Sequence, residues 1–293
     1  MKSGCICYLV SAEPIDVADL GRSLSRLYAN YIRAFPCDIY IFHEADLAES
    51  VRIDIQRSAP MPVVFCEIQF PAVTPPVDID ASPYRMGYRH MCHFFANDIF
   101  HRPELKDYAY YMRLDTDSMI LSPLSFDLFD YMQASDGLYG FVSDDFLDRP
   151  EYAKGLWPLA ERFVGATQYP IFKKMYQDIP ERKCFYTNFE ICRLDWFRKA
   201  PWTDFFAEID RAGGIYTTRW GDHIIRYLGV NLFAPPGRIV NVPVHYYHQG
   251  EYGQAHATRK LAASQVRLAR ALCMAKLALS RRLKEWLRWR RPA

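Results

Sequence analysis

The stretch Tyr110-Tyr111-Met112-Arg113-Leu114-Asp115-Thr116-Asp117-Ser118-Met119-Ile120-Leu121 constrains this chain more than any other. It opens on apolar and aromatic residues, the pattern of a buried strand. Two carboxylates one residue apart then close the strand. Side chains at the carboxyl end of a parallel strand face the crevice where such sheets bind ligands. Asp115 and Asp117 are hard oxygen donors, suited there to Mg²⁺ or Mn²⁺ with a substrate diphosphate. The plainer reading is an acidic turn that simply ends a strand. Ser122-Pro123 reads as an N-cap and first helical position, so a helix is expected over 124–132.

The flanking chain supports a parallel sheet. Gly4 to Val10 is a continuous apolar run, as in a strand buried on both faces. Leu20, Leu24, Leu27, Tyr31 and Phe35 recur at helical spacing, predicting a helix over 17–35. Further strands are expected at 38–43 and from Pro62 onward, then at 138–143 and 239–247, the last ended by His248. This strand–helix alternation predicts right-handed crossovers and an α/β fold with a mostly parallel central sheet flanked by helices. Nucleotide binding is expected over the strand ends near Ser11 and Ala12. Neither GxGxxG nor GxxxxGK[ST] occurs, so neither of those phosphate-binding loops applies. Helices are also expected over 84–100, 203–212 and 222–228, with an irregular excursion from Asp148 to Pro180.

Charge divides the chain unevenly. Of 36 Lys and Arg and 34 acidic residues, eleven basic residues and one acid lie from Thr258 onward, leaving an acidic body and a tail of +10. An acidic body excludes a nucleic-acid-binding core. We divide the chain into a catalytic domain, 1–257, and a basic amphipathic helical tail, 258–293. Arg281, Lys284, Arg288 and Arg291 on one side of that tail, with Leu279, Leu283, Trp286 and Leu287 on the other, suit a peripheral membrane surface or a helix docked on its own domain. No signal peptide is evident. The eight cysteines lack CxxC spacing and sit in apolar runs, so they are read as reduced thiols in a cytoplasmic protein. Cys5 and Cys7 are read as pointing to opposite faces of their strand.

Several polar residues admit two readings. Arg85 and Arg89 lie four apart on one helix face and read as a solvated stripe. Glu190 sits between Phe189 and Ile191, where a carboxylate is costly unless paired or used. Trp220 beside Asp222 suits sugar binding, and equally a core tryptophan. His248 read alone is a structural histidine.

Taken in order, Tyr88-Arg89-His90-Met91-Cys92, Tyr110 to Asp115, Tyr139-Gly140-Phe141-Val142, Asn188-Phe189-Glu190-Ile191, Leu194-Asp195, Arg211-Ala212-Gly213-Gly214, Arg219-Trp220-Gly221-Asp222 and Tyr246-Tyr247-His248 resemble the fungal α-1,2-mannosyltransferases, glycosyltransferase family 15. The resemblance spans roughly Tyr84 to Tyr252. It implies a GT-A type nucleotide-sugar-binding sandwich and a retaining transfer of mannose from GDP-mannose to an oligosaccharide or glycolipid acceptor, dependent on Mn²⁺ (or Mg²⁺). By position it implies Asp115 and His248 as metal ligands, with Asp117 as a second acid because Asp-Thr-Asp stands where the family usually has glutamate followed by proline. It implies Glu190 as nucleophile or cation stabiliser and Tyr88 at the active site. Arg89, Arg113, Ser11 and Ala12 join Tyr88 on the donor side. Trp220, Asp222, Asn188 and Tyr186 fall on the acceptor side. The competing expectations are a GT-A enzyme using GDP-fucose or a UDP-hexose, and a catalytically silent sugar-binding protein.

Overall fold

The computed structural model describes residues 2–73, 86–144, 146–165 and 183–248. The expected tail, and Arg85 of the basic stripe, lie outside these residues. Among the described residues no helix is long and apolar enough to cross a membrane.

Strand β1 (Lys2–Val10) lies inside a seven-stranded sheet. It pairs in parallel with β2 (Asp38–His43) on one side and β4 (Tyr108–Leu114) on the other. β3 (Val64–Glu67) extends the sheet beyond β2. On the far side, β9 (Phe189–Arg193) runs antiparallel between β4 and β6 (Tyr139–Phe141), and β10 (Ile239–Asn241) closes that edge in parallel with β6. The order is β10-β6-β9-β4-β1-β2-β3. Six strands therefore share one direction and β9 opposes them. A short sheet of β5 (Ser118–Ile120) and β11 (Tyr246–His248) stands beside it, antiparallel. β7 (Phe146–Leu147) and β8 (Lys183–Cys184) form another two-stranded pair.

The strand period of two sorts side chains into two cores. Ile6, Tyr8, Tyr110 and Met112 face α1 (Pro14–Leu27) and α4 (Leu128–Ala134). Cys5, Cys7, Tyr111 and Cys192 face the opposite core. That core also holds α3 (Met86–Ala96) and the helices Trp202–Ala212 and Asp222–Phe233. Residues two apart on a strand must share a face, so Cys5 and Cys7 lie together, which corrects the expectation that they diverge; the described cysteines are free thiols. Glycine at position 4 is required by this layering, because a Cβ there would collide with the Phe129 ring of α4.

Several boundaries differ from the sequence pattern; the helix expected over 222–228, for one, runs on to Phe233. The first helix ends as α at Leu27 and continues as a π-turn, Tyr28–Ile32. The helix expected from Ser122 starts instead at Leu128. Asp127 caps it, its carboxylate accepting from Phe129 N and Asp130 N, while Leu124 N is drawn to Asn30 O at 2.9 Å. Local serine–proline chemistry loses there to a tertiary hydrogen bond and a better cap two and three residues before its donors. The late strand expected over 239–247 is two strands in two sheets, because Val242 to His245 cross from the main sheet to β5.

Candidate active site

β4 runs out at Leu114, and the chain turns tightly through Asp115 to Asp117 before entering β5. Ser118 N donates to Asp115 O at 3.0 Å, and Asp115 N donates to Asn188 O at 3.1 Å. β5 pairs with β11 so that Ser118 stands opposite His248. This pairing brings Asp115, Asp117 and His248 together across more than 130 residues. One ligand atom from each lies within 4.8 Å of the others. His248 Nδ1 is 2.9 Å from Asp117 Oδ1 and 3.2 Å from Ser118 Oγ. Asp115 and Asp117 are half-buried and His248 is buried, so the cluster opens to one side.

Two expected residues flank the cluster. The Tyr186 ring meets the His248 ring edge-on, with centroids 5.5 Å apart. Burial, outweighing a hydrogen bond with Asn188 and joined by the charges of Asp117 and Asp115, pushes the Tyr186 phenol up to about 12. Asn188 accepts from Tyr246 OH through its side chain at 2.8 Å and from Ser118 Oγ through its carbonyl at 3.2 Å. It braces the acidic turn. Ser11 and Ala12 are exposed just past the end of β1, and Ser11 Oγ donates to Asp16. Burial raises the Asp16 carboxyl, and the charge of Asp117 adds to that rise, so this loop borders the acidic cluster.

Behind the cluster runs a line of buried charges. Arg113, on β4, donates from Nε to Asp115 Oδ1 at 2.7 Å and from Nη1 to Asp222 Oδ2 at 2.6 Å, its guanidinium 3.7 Å from the Phe95 ring centre. Burial alone would raise Asp222, but the charges of Arg113 and His223, with a hydrogen bond from Thr187, hold it at about 2. His223 donates to Asp148 at 2.8 Å, and Asp148 also accepts from Arg219 at 3.0 Å. Asp148 is held below the usual carboxylate range: burial opposes this, and His223 and Arg219 outweigh it. Arg219 takes left-handed backbone angles and donates to Tyr88 OH at 2.7 Å.

The family described as Glycolipid 2-alpha-mannosyltransferase matches residues 2–270. The chain belongs to this family. It is 25% identical over 263 residues to "Probable mannosyltransferase KTR4" of Saccharomyces cerevisiae, covering 76% of this chain and 55% of that protein. It spans about half the length of the curated relatives it matches. Among solved structures, the mannosyltransferase Ktr4p from S. cerevisiae in complex with GDP superposes with a TM-score of 0.73 at 25% identity, over 85% of this chain and 71% of that one. Core-mannan synthase A from Aspergillus fumigatus in its Mn/GDP form also gives 0.73, at 22% identity, over 85% and 75%. The expected GT-A type sandwich is thus the fold of this mannosyltransferase-family chain.

The remaining expected site residues lie behind the cluster, each engaged with a partner. Glu190, expected beneath a transferred sugar, is sealed one rung inward from the cluster, 0% exposed. Tyr111 OH donates to one of its oxygens at 2.5 Å and Arg226 Nε to the other at 3.0 Å. The parity of β9 explains this: Glu190 pairs with Arg113 on the face covered by the helix Asp222–Phe233, where a carboxylate must be paired. Arg89 is not solvated, which corrects the reading of a solvated stripe; it is buried and donates to Ile215 O and Tyr216 O. Arg113 is 2% exposed and positions carboxylates rather than reaching outward. Tyr88 is occupied by Arg219. Trp220 is buried, donates to Lys154 O at 2.8 Å, and leaves no room for a Cβ on Gly214. Asp222 is enclosed by Arg113 and Thr187. Sequence reading missed Arg226, Tyr111, Ser118, Tyr246, Asp148 and His223. Tyr111 and Ser118, inside the acidic stretch, and Tyr246, beside His248, carried a local signal.

Proposed function

We propose that this chain is a divalent-metal-dependent α-mannosyltransferase. It takes mannose from GDP-mannose and places it, with retained anomeric configuration and an α-1,2 linkage, on a hydroxyl of a saccharide or glycolipid. The observation that carries the reading is the convergence of Asp115, Asp117 and His248 at the carboxyl end of a parallel sheet. Two carboxylates and one imidazole suit Mn²⁺ or Mg²⁺, and the family membership supports mannose as the sugar. Asp115 and His248 would hold the ion. When bound, it supplies neutralising charge to a diphosphate leaving group.

The chain's own groups do the positioning. Arg113 pins the Asp115 carboxylate and is itself neutralised by Asp222. Tyr186, with its phenol raised to about 12, keeps its proton at neutral pH and can donate it to an oxygen brought to the cluster. Ser11 and Ala12, exposed just past the end of β1, are the edge against which the nucleoside would lie. Glu190, with both oxygens engaged, favours a front-side transfer in which no enzyme carboxylate bonds to the sugar carbon. The test is donor hydrolysis with GDP-mannose, GDP-fucose and UDP-glucose, each with Mn²⁺ and with EDTA. Turnover of GDP-mannose abolished by EDTA is expected. Preference for another nucleotide sugar would replace the donor assignment, and no turnover with any donor would favour a silent sugar-binding protein.

A further inference from the structure

Tyr246 lies two residues before His248 on β11, so both side chains stand on the same face of that strand. Its ring is buried and meets the Phe189 ring edge-on, with centroids 5.3 Å apart. Its hydroxyl donates to Asn188 Oδ1 at 2.8 Å and is 2.6 Å from Ser118 Oγ. Asn188 in turn holds both ends of the acidic turn on one carbonyl oxygen, which accepts from Asp115 N at 3.1 Å and from Ser118 Oγ at 3.2 Å. One phenol therefore joins three segments: the strand that carries His248, the turn that carries Asp115 and Asp117, and the entry to β9. Ser118 is fixed from its other side as well. Ser23 Oγ of α1 donates to its carbonyl and lies 2.9 Å from Tyr8 OH of β1. β5 and β11 pair over three residues each. A two-stranded ribbon is marginal by itself, so these buried side-chain bonds decide where His248 stands relative to the two acids.

We propose that Tyr246 is a positioning residue for cation binding: its hydroxyl fixes β11 against the acidic turn, so that Asp115, Asp117 and His248 stand assembled before an ion arrives. The inference rests on the metal reading above and adds to it a residue outside the ligand cluster. Groups that hold metal ligands in place, without binding the ion themselves, lower metal affinity by about 10–100-fold when they are lost. The hydroxyl ties the cluster to the body of the fold, because Asn188 leads into β9 of the main sheet and Ser118 is anchored to α1.

The test uses the full chain and measures Mn²⁺ binding with GDP present, from the paramagnetic resonance of free Mn²⁺. Tyr246→Phe removes the hydroxyl and keeps the ring. It should weaken Mn²⁺ binding about 10–100-fold, while turnover of the donor recovers at saturating Mn²⁺ because the ligands themselves remain. Tyr110→Phe is the control, since that phenol is also buried and donates to Gly137 O at 3.2 Å. It should lower the melting temperature and leave Mn²⁺ affinity unchanged. Ser118→Ala removes the phenol's partner on the turn, so its loss of Mn²⁺ affinity should be less than additive with that of Tyr246→Phe. Wild-type Mn²⁺ affinity in Tyr246→Phe, or an equal loss in Tyr110→Phe, overturns the positioning role. Should Tyr246→Phe not fold, Ser118→Ala decides, and wild-type affinity in that variant overturns the role. A wild type that binds no Mn²⁺ would remove the proposed function and this inference with it.

Discussion

Arg113 and Asp222 are joined by a 2.6 Å ion pair whose side chains are 2% and 3% exposed. The pair links the end of β4 to the first turn of the helix Asp222–Phe233. It also turns Asp115 toward the cation cluster, because the same guanidinium holds both carboxylates. Charges at this depth are tolerated only because each is compensated.

Asp222 should contribute stability in a defined pH window. Its folded carboxyl is held at about 2, below an unfolded value near 3.9. A depressed folded value stabilises the fold above the unfolded one, and the contribution disappears as pH falls from about 4 toward 2. The stability gap between wild type and Asp222→Asn in urea denaturation should therefore be widest from pH 5 upward and shrink in acid. A gap that is the same at pH 7 and pH 3 contradicts the pairing. Arg113→Ala, which strands a buried carboxylate, should cost about 3–5 kcal/mol at pH 7.

Glu190→Gln tests the sealed ion pair. The change leaves the Arg226 guanidinium, also 0% exposed, without its counter-charge. A loss of about 3–5 kcal/mol is expected, seen as a large drop in denaturation midpoint. Lost turnover should then follow the unfolded fraction. A variant that melts normally, binds GDP normally and still fails to turn over would reinstate Glu190 as the group facing the sugar.

Gly221→Ala should disturb the buried line of charges sterically. A Cβ at this position would sit inside contact distance of the His223 ring, which donates to Asp148. Overpacking of this kind costs on the order of 1–3 kcal/mol. Combining it with His223→Ala removes the obstructing ring, so the two losses should be clearly less than additive in thermal melts. Simple additivity would show that the glycine is not there for the histidine.

His93 should carry a stability contribution of opposite pH sign. Burial disfavours its charge, but contacts to Asp98 at 2.9 Å and Asp210 at 3.1 Å outweigh burial and raise its pKa. A raised folded value stabilises below the unfolded pKa, near 6.5, and the benefit is lost as pH climbs through the folded one. His93→Gln should be destabilised relative to wild type at pH 5.5 and nearly equal to it at pH 9. Equal stability at both values would mean that the ring bonds its carboxylates only when neutral.

What the chain's residues determined alone was the sheet and the location of its chemistry. Apolar runs at Gly4–Val10 and from Tyr110 sufficed to announce buried strands, because a strand covered on both faces has no room for a polar period; that the two lie side by side came from the sheet pairing. The Asp-Thr-Asp turn marked the end of the sheet where the Asp115, Asp117 and His248 cluster assembles. Tertiary structure alone decided which polar residues reach that end. Glu190, Arg89, Asp222 and Trp220 resembled site residues by motif, yet strand parity and helix packing turned each inward to a partner. Those partners, Arg226, the carbonyls of Ile215 and Tyr216, Arg113 and Lys154, lie 30 to 130 residues away. His248 went the other way, from an isolated histidine to a member of the cluster, because β11 pairs with β5. Pairing a buried charge is a long-range requirement, so local sequence could announce the charge but not who would answer it.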